Sequence, residues 1–230
     1  MTDTDAPRPA VGGLFLAEDD AKVLLSSYGV ETPREEVAGS LAQAAAAAER
    51  IGFPVVLKVI SPDLPHKTEA GGVRLGLDSA QAVVRAYDEI LASVSRHSPG
   101  ARIKGVLVAE HVSAEHELLC GIKRDPQFGP VVALALGGVF VEILKDIVFG
   151  VAPLDRAEAL DMIDALRGAP VLAGARGKAP VDRERLAAAL VSLSKLAMEH
   201  PEVWELDVNP LAATAGGRLV ALDCLVRLEG

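Results

Sequence analysis

Apolar positions along the chain switch repeatedly between two periods. Short apolar runs alternate with stretches in which apolar residues recur every three or four positions, as strands and amphipathic helices do. The first helical stretch covers Glu18 to Tyr28, with Val23, Leu24 and Tyr28 facing inward and Gly29 as its stop. Ser40 and Gln43 have capping-box spacing ahead of an alanine-rich helix that runs to Ile51 and ends at Gly52. Val55 to Ile60 reads as a strand, apolar except for Lys58 and therefore buried on both faces. Ser61 to Gly72, SPDLPHKTEAGG, carries two prolines and a glycine pair, which exclude regular structure and predict a long loop. A strand at Val73–Leu77, a helix from Ser79 to about Arg96 with Val83, Tyr87, Ile90, Leu91 and Val94 on one stripe, and a strand at Gly105–Glu110 follow. Further strands are expected at Glu117–Lys123, Val131–Leu136 and Ile147–Ala152, and helices at Arg156–Leu166 and Asp182–Glu199.

This alternation predicts an α/β (α+β) chain of two lobes that meet near Glu110. A tail is expected over residues 1–13, a first lobe over 14–108 and a second over 109–230. Half of the 230 residues are apolar, enough for a packed core. The net charge of −9 and only eight aromatic residues argue against nucleic acid as a partner. The longest apolar run, Val131 to Val141, meets Glu142 well before the ~20 residues of a membrane span. Met1 to Ala10 lacks the basic and apolar parts of a secretion signal, so no membrane partner and a cytoplasmic location are expected. Cys120 and Cys224 have no metal-site spacing and read as two buried free thiols.

The densest chemistry lies in VWELDVNPLAATAGGRLVALDCLV near the C-terminus. Period-2 alternation places Trp204, Leu206 and Val208 on one face of a strand and Glu205, Asp207 and Asn209 on the other. A hairpin turn over Ala215-Gly216-Gly217, centred on Gly216, pairs residues whose numbers sum to 432. Asn209 then stands opposite Asp223, roughly 5 Å away as a cross-strand neighbour. An amide and a carboxylate at that distance suit Mg²⁺, which takes few protein oxygens and completes its shell with water and phosphate. A solvated polar sheet face is the competing reading of the same residues.

A magnesium site of that kind calls for a phosphate. No P-loop and no dinucleotide-binding glycine motif occurs, so other segments must supply the contacts. Lys58, alone in PVVLKVI, is tolerable only beside an anion or at a lobe edge, which makes it a phosphate-binding candidate. Gly137 and Gly138 can turn backbone N–H groups toward an anion. Arg124 can clamp a phosphate or pair with a surface acid such as Asp125. His66, in the Pro- and Gly-bounded loop, can accept a phosphoryl group covalently or be an ordinary surface residue.

Taken in order, FPVVLKV, SPDLPHKTEAGGV, IKRDPQFGPVV, LGGVFVEILKD and ELDVNPL followed by ALDCLV resemble the ATP-grasp β subunit of NDP-forming acyl-CoA synthetases. That group includes ADP-forming acetyl-CoA synthetase and is related to succinyl-CoA synthetase. The resemblance covers Leu14 to Leu228. It implies a two-lobed ATP-grasp fold holding ATP or ADP between the lobes, with Lys58 at the phosphates and Glu110 near the adenine. Asn209 and Asp223 match the family's magnesium ligands, and His66 matches a loop histidine that relays a phosphoryl group from an α subunit. The implied reaction is acyl-CoA + ADP + phosphate ⇌ acid + CoA + ATP. Two motifs depart from the pattern: Val108-Ala109-Glu110 stands for V-Q-E, and Ala135-Leu136-Gly137-Gly138 for G-L-G-G. The chain lacks a CoA-binding domain and an α-type histidine segment, so the resemblance implies a CoA-binding α partner. A nucleotide-sensing regulatory module and a carboxylate–amine ligase are the alternative functions for the same fold.

Overall fold

The computed structural model describes residues 14–64, 67–138, 145–175 and 177–229. The expected tail, His66 and the stretch from Val139 to Leu144 lie outside the described residues. The chain runs α1 (Glu18–Ser27), β1 (Glu35–Ala38), α2 (Leu41–Ile51), β2 (Val55–Ile60), β3 (Val73–Leu77), α3 (Ala80–His97) and β4 (Gly105–Glu110). It continues with β5 (His116–Asp125), β6 (Gly129–Leu136), β7 (Ile147–Val151), α4 (Arg156–Ala165), α5 (Ala169–Leu172) and α6 (Arg183–Glu199). It closes with β8 (Val203–Ala213), β9 (Leu219–Ala221) and β10 (Cys224–Leu228). The strands form two antiparallel sheets: a four-stranded one ordered β1-β4-β2-β3, and a six-stranded one ordered β10-β8-β5-β6-β7, with β9 on β8.

Each sheet has its own core. Alternation along β2 sends Val55, Leu57 and Val59 into a core with Ala44, Ala48, Val83 and Ile90 of α2 and α3. The other face of β2, carrying Val56 and Lys58, turns toward the second sheet. There Leu118, Cys120 and Ile122 pack with Leu134, Leu206 and Val226 under α4 and α6. Both cysteines are buried and free. No helix among the described residues is long and apolar enough to cross a membrane.

Helix α1 departs from expectation in two ways. Its buried residues are Glu18, Ala21, Lys22 and Leu25, whereas Val23 is 71% exposed. Leu24 and Tyr28 pack against the core as expected, whereas apolar periodicity misplaces Val23 and misses Glu18 and Lys22, two charged side chains buried as an ion pair. The helix also packs with the six-stranded sheet: Ala21 and Leu25 join its core, and Leu16 N–H donates to Val226 O at 3.0 Å. The N-terminal segment therefore crosses from the lobe to which chain order assigns it. Strand β1 was not foreseen, because EEVA carries no apolar signal until it pairs with β4. At α2, Ser40 does accept from Gln43 N–H, but the Gln43 side chain returns to Gly39 N–H rather than to Ser40. A reciprocal capping box forms instead at Asp155 and Glu158.

Candidate active site

The C-terminal hairpin has the register expected of a turn centred on Gly216. Ala213 faces Leu219 and Leu211 faces Ala221 across β8 and β9, and Cys224 faces Val208 across β8 and β10. Between these ladders Asn209 N–H donates to Asp223 O at 3.2 Å, and Leu222 N–H to Pro210 O at 3.0 Å. On the other side of β8 the register with β5 shifts by one residue between Leu118 and Cys120, so Asn209 and Pro210 together oppose Leu119. Core positions change parity there, from Leu206 and Val208 to Leu211 and Ala213. The bulge breaks the regular strand at the residue that carries the amide.

A second irregularity, between Arg227 and Leu228, puts Val203 rather than Trp204 into the core. Trp204 instead lies beside the Arg227 guanidinium at 5.7 Å, and that guanidinium donates to Glu205. Trp204 thus shares the outer face with Glu205, contrary to the alternation read from sequence.

A cavity of about 540 Å³ opens between the two sheets, lined by Lys58, Glu110, Asn209 and Asp223 among others. Four expected site residues, from β2, the end of β4, β8 and the β9–β10 link, are brought together there. Lys58 Nζ donates to Glu18 Oε1 at 2.8 Å and to Leu222 O at 2.6 Å, so the anion that makes its burial tolerable is a protein carboxylate. Glu110 accepts from Arg34 and from Arg218, each at 2.8 Å. Burial acts to raise its pKa, and the bonds from Arg218 and Arg34 outweigh that and hold it below the usual carboxylate range. Asp223 Oδ1 accepts from Cys224 N–H at 3.0 Å and lies 3.4 Å from Lys67 Nζ.

Gly137 and Gly138 line an adjoining hollow of about 250 Å³, which shares Ala114 and Glu117 with the first. Gly137 N–H donates to Glu117 O at 2.7 Å, and an added Cβ at Gly137 would stand 2.8 Å from that oxygen. Gly138 has φ +64°, which glycine adopts without strain. Arg124 lies elsewhere. Its guanidinium donates to Ala197 O, His200 O and Val203 O at 2.6, 2.8 and 2.9 Å, tying β5 to the turn between α6 and β8. The structure does not bring it to the cavity between the sheets, because its donors are spent on the chain itself.

Two residues beside the site escaped sequence reasoning. Glu18 and Lys67 join Lys58 through the ion pairs at the lobe seam, and the i,i+4 spacing of Glu18 and Lys22 is the one signal that hinted at them. Asp207 is pushed up to about 6 by burial first, then by the charges of Glu205 and Asp223. Among the described residues no three His, Cys, Asp or Glu side chains gather as a metal cage. Asn209 and Asp223 do offer an amide and a carboxylate oxygen on opposed residues, a donor set that fits a hard cation sharing its shell with phosphate.

A chain with a nucleotide-sized cleft between two antiparallel sheets, a lysine on one wall and an Asn/Asp pair on the other has the architecture of an ATP-grasp protein. The model of the ATP-grasp domain matches residues 10–228, and the chain belongs to that family. Within it, the chain belongs with the β subunits and β-type regions of ADP-forming acyl-CoA ligases. It is 41% identical over 198 residues to the β subunit of the ADP-forming acetate–CoA ligase I of Pyrococcus furiosus, covering 86% of this chain and 85% of that one. It is 44% identical over 209 residues to the ADP-forming acetate–CoA ligase I of Archaeoglobus fulgidus, covering 91% of this chain but spanning only 30% of that relative's length. The solved acetyl-coenzyme A synthetase 1 of Ca. Korarchaeum cryptofilum, in complex with coenzyme A and Ca-AMPCP, superposes with a TM-score of 0.91 at 41% identity over 94% of this chain and 93% of that one. The same enzyme has been solved with Mg-AMPPCP and its phosphohistidine segment pointing towards the nucleotide binding site, with a TM-score of 0.82 at 38% identity over 94% of this chain and 93% of that one.

Proposed function

We propose that the chain is the nucleotide-binding component of an ADP-forming acyl-CoA synthetase, completed by a CoA-binding α partner. The supporting observation is the opposition of Asn209 and Asp223 in the same cleft as Lys58. In this reading Asn209 and Asp223 would hold Mg²⁺, which would offset the negative charge of the nucleotide phosphates. Lys58 exchanges its Glu18 contact for phosphate oxygens. Glu110, fixed by Arg34 and Arg218, faces the adenine end, and the Gly137–Gly138 backbone borders the cleft beside Glu117. His66 takes the phosphoryl group from a phosphohistidine of the α partner onto an imidazole nitrogen. It then passes that group to the terminal phosphate oxygen of ADP, forming ATP and leaving the imidazole neutral. The net reaction is acyl-CoA + ADP + phosphate ⇌ acid + CoA + ATP. The chain's own work is positioning and charge neutralisation.

Calorimetry of ADP binding tests the metal pair: wild type binds with Mg²⁺ and loses affinity in EDTA, whereas Asp223→Ala is indifferent to EDTA. With an α partner supplied, His66→Asn binds Mg·ADP as wild type does but makes no ATP from acyl-CoA. ATP formation by that variant would rule out the relay.

A further inference from the structure

At the seam between the sheets three ammonium groups meet three carboxylates in one chain of ion pairs. Glu18, its side chain 1% exposed, lies 2.8 Å from Lys22, 2.8 Å from Lys58 and 2.7 Å from Lys67. Lys22 continues to Glu35 at 2.7 Å, and Lys67 to Asp223 at 3.4 Å. Burial alone would push Glu18 up, but Lys58, Lys22 and Lys67 together hold it well below the carboxylate range, so it stays charged. The backbone around Lys67 is fixed: Gly72 N–H donates to Lys67 O and Val59 N–H to Gly72 O, both at 2.8 Å. An added Cβ at Gly72 would stand 2.6 Å from Val59 Cγ1, so the turn is pressed onto β2.

The six linked charges balance while Asp223 faces Lys67. For Asp223 to ligate a divalent cation it must give up Lys67, whose other partner, Glu18, is already shared by two lysines. The seam then holds three lysines against two carboxylates, one uncompensated positive charge in a poorly solvated place, and the cation adds to it. A nucleotide diphosphate entering beside Lys58 brings the missing negative charge.

We propose that Lys67 is a further residue of the nucleotide site, and that Glu18 is the positioning residue behind it. Lys67 occupies the Asp223 carboxylate until cation and phosphate arrive together, and Glu18 keeps its ammonium within reach of both. The two residues thereby couple metal binding to nucleotide binding. This rests on the reading of Asn209 and Asp223 as the metal pair.

The test is titration of the full chain with Mn²⁺, followed by electron paramagnetic resonance, with and without ADP. Lys67→Met is expected to bind free Mn²⁺ about three- to tenfold more tightly than wild type, since a positive charge beside the ligand is gone. The factor by which ADP strengthens Mn²⁺ binding shrinks correspondingly. Glu18→Gln moves the other way, because Lys67 then falls wholly on Asp223. Lys67→Arg keeps the coupling, and Asn209→Ala loses Mn²⁺. A purely structural role would weaken Mn²⁺ binding in both seam variants alike. Free-Mn²⁺ affinity equal to or below wild type in a folded Lys67→Met would overturn the inference alone. If that variant melts early, an unchanged Mn²⁺ affinity in Glu18→Gln does the same. Absence of Mn·ADP binding by wild type would overturn both the inference and the reading beneath it.

Discussion

Asn209 and Asp223 stand opposite each other because the backbone N–H of the first donates to the carbonyl of the second, 3.2 Å away, at the gap between two ladders of the same hairpin. The bulge at Asn209 and Pro210 leaves Asn209 exposed to the cleft, while its neighbour Val208 is fully buried. The pair is therefore held by main chain, and either side chain can be changed without unfolding the strand.

Asn209→Ala and Asp223→Ala are each expected to weaken Mg·ADP binding at least about tenfold, since loss of even an outer-shell partner costs roughly 10- to 100-fold at metal sites. The melting temperature of Asn209→Ala should stay close to wild type, and that of Asp223→Ala should fall modestly, because Lys67 and the Cys224 N–H lose a partner. Calorimetry with Mg²⁺ beside a thermal melt checks both halves. Equal losses of affinity and of fold would show that the pair is structural.

Arg124 yields the opposite pattern. Its guanidinium satisfies three carbonyls at the α6–β8 junction, and Arg124→Met leaves those acceptors without it. The expected loss is about 2–3 kcal/mol, seen as a melting point lower by roughly 5–10 °C in a domain of this size. ADP affinity of the folded fraction should stay within about twofold, because the residue lies away from the cleft. A selective loss of ADP binding with unchanged stability would return Arg124 to the phosphates.

What the sequence disclosed follows from which interactions are local. The hairpin register depends on one turn and on strict alternation, so the facing of Asn209 and Asp223 was legible from residue numbers. The buried strand around Lys58 was legible from its apolar run. The partner of Lys58 was not: Glu18 lies 40 residues away, on a helix whose polar residues resemble a solvent face until Lys58 and Lys67 from elsewhere join Lys22 of the same helix around one of them. Arg124 was misread for a related reason. Sequence shows that an arginine has donors to spend, but backbone carbonyls 73 to 79 positions away, which take them, leave no mark in residue type.

Gly137 and Gly216 separate close packing from simple turn preference. An added Cβ at Gly137 would meet Glu117 backbone at 2.8 Å, while at Gly216 the nearest atom is Thr214 Oγ1 at 3.9 Å. Gly137→Ala is expected to cost about 1–3 kcal/mol through overpacking and to weaken ADP binding by shifting the cleft wall. Gly216→Ala should stay within about 0.5 kcal/mol. Urea denaturation of both variants decides it, and equal midpoints would mean that the Gly137 strand end yields without cost.

Two carboxylates bend the dependence of stability on pH in opposite directions. Asp207 is raised from its ordinary 3.8 to about 6 by burial, with Glu205 and Asp223 adding to it. Between those values the folded chain holds more protons than the unfolded one, so stability rises as pH falls from 7 toward 4. The gain is on the order of 2 kcal/mol, somewhat below the full shift because the group is partly hydrated. Glu18 is depressed, so its contribution is present above its ordinary value of 4.5 and is lost as pH falls further. In EDTA the melting temperature should therefore climb from pH 8 to about pH 5 and then drop. Asp207→Asn removes the first limb: the variant should be more stable than wild type at pH 8, and the gap should close by about pH 4. Parallel melting curves for the two proteins across that range would show that Asp207 is ionised without strain, and that the crowding of Glu205, Asp207 and Asp223 on the outer sheet face costs the fold nothing.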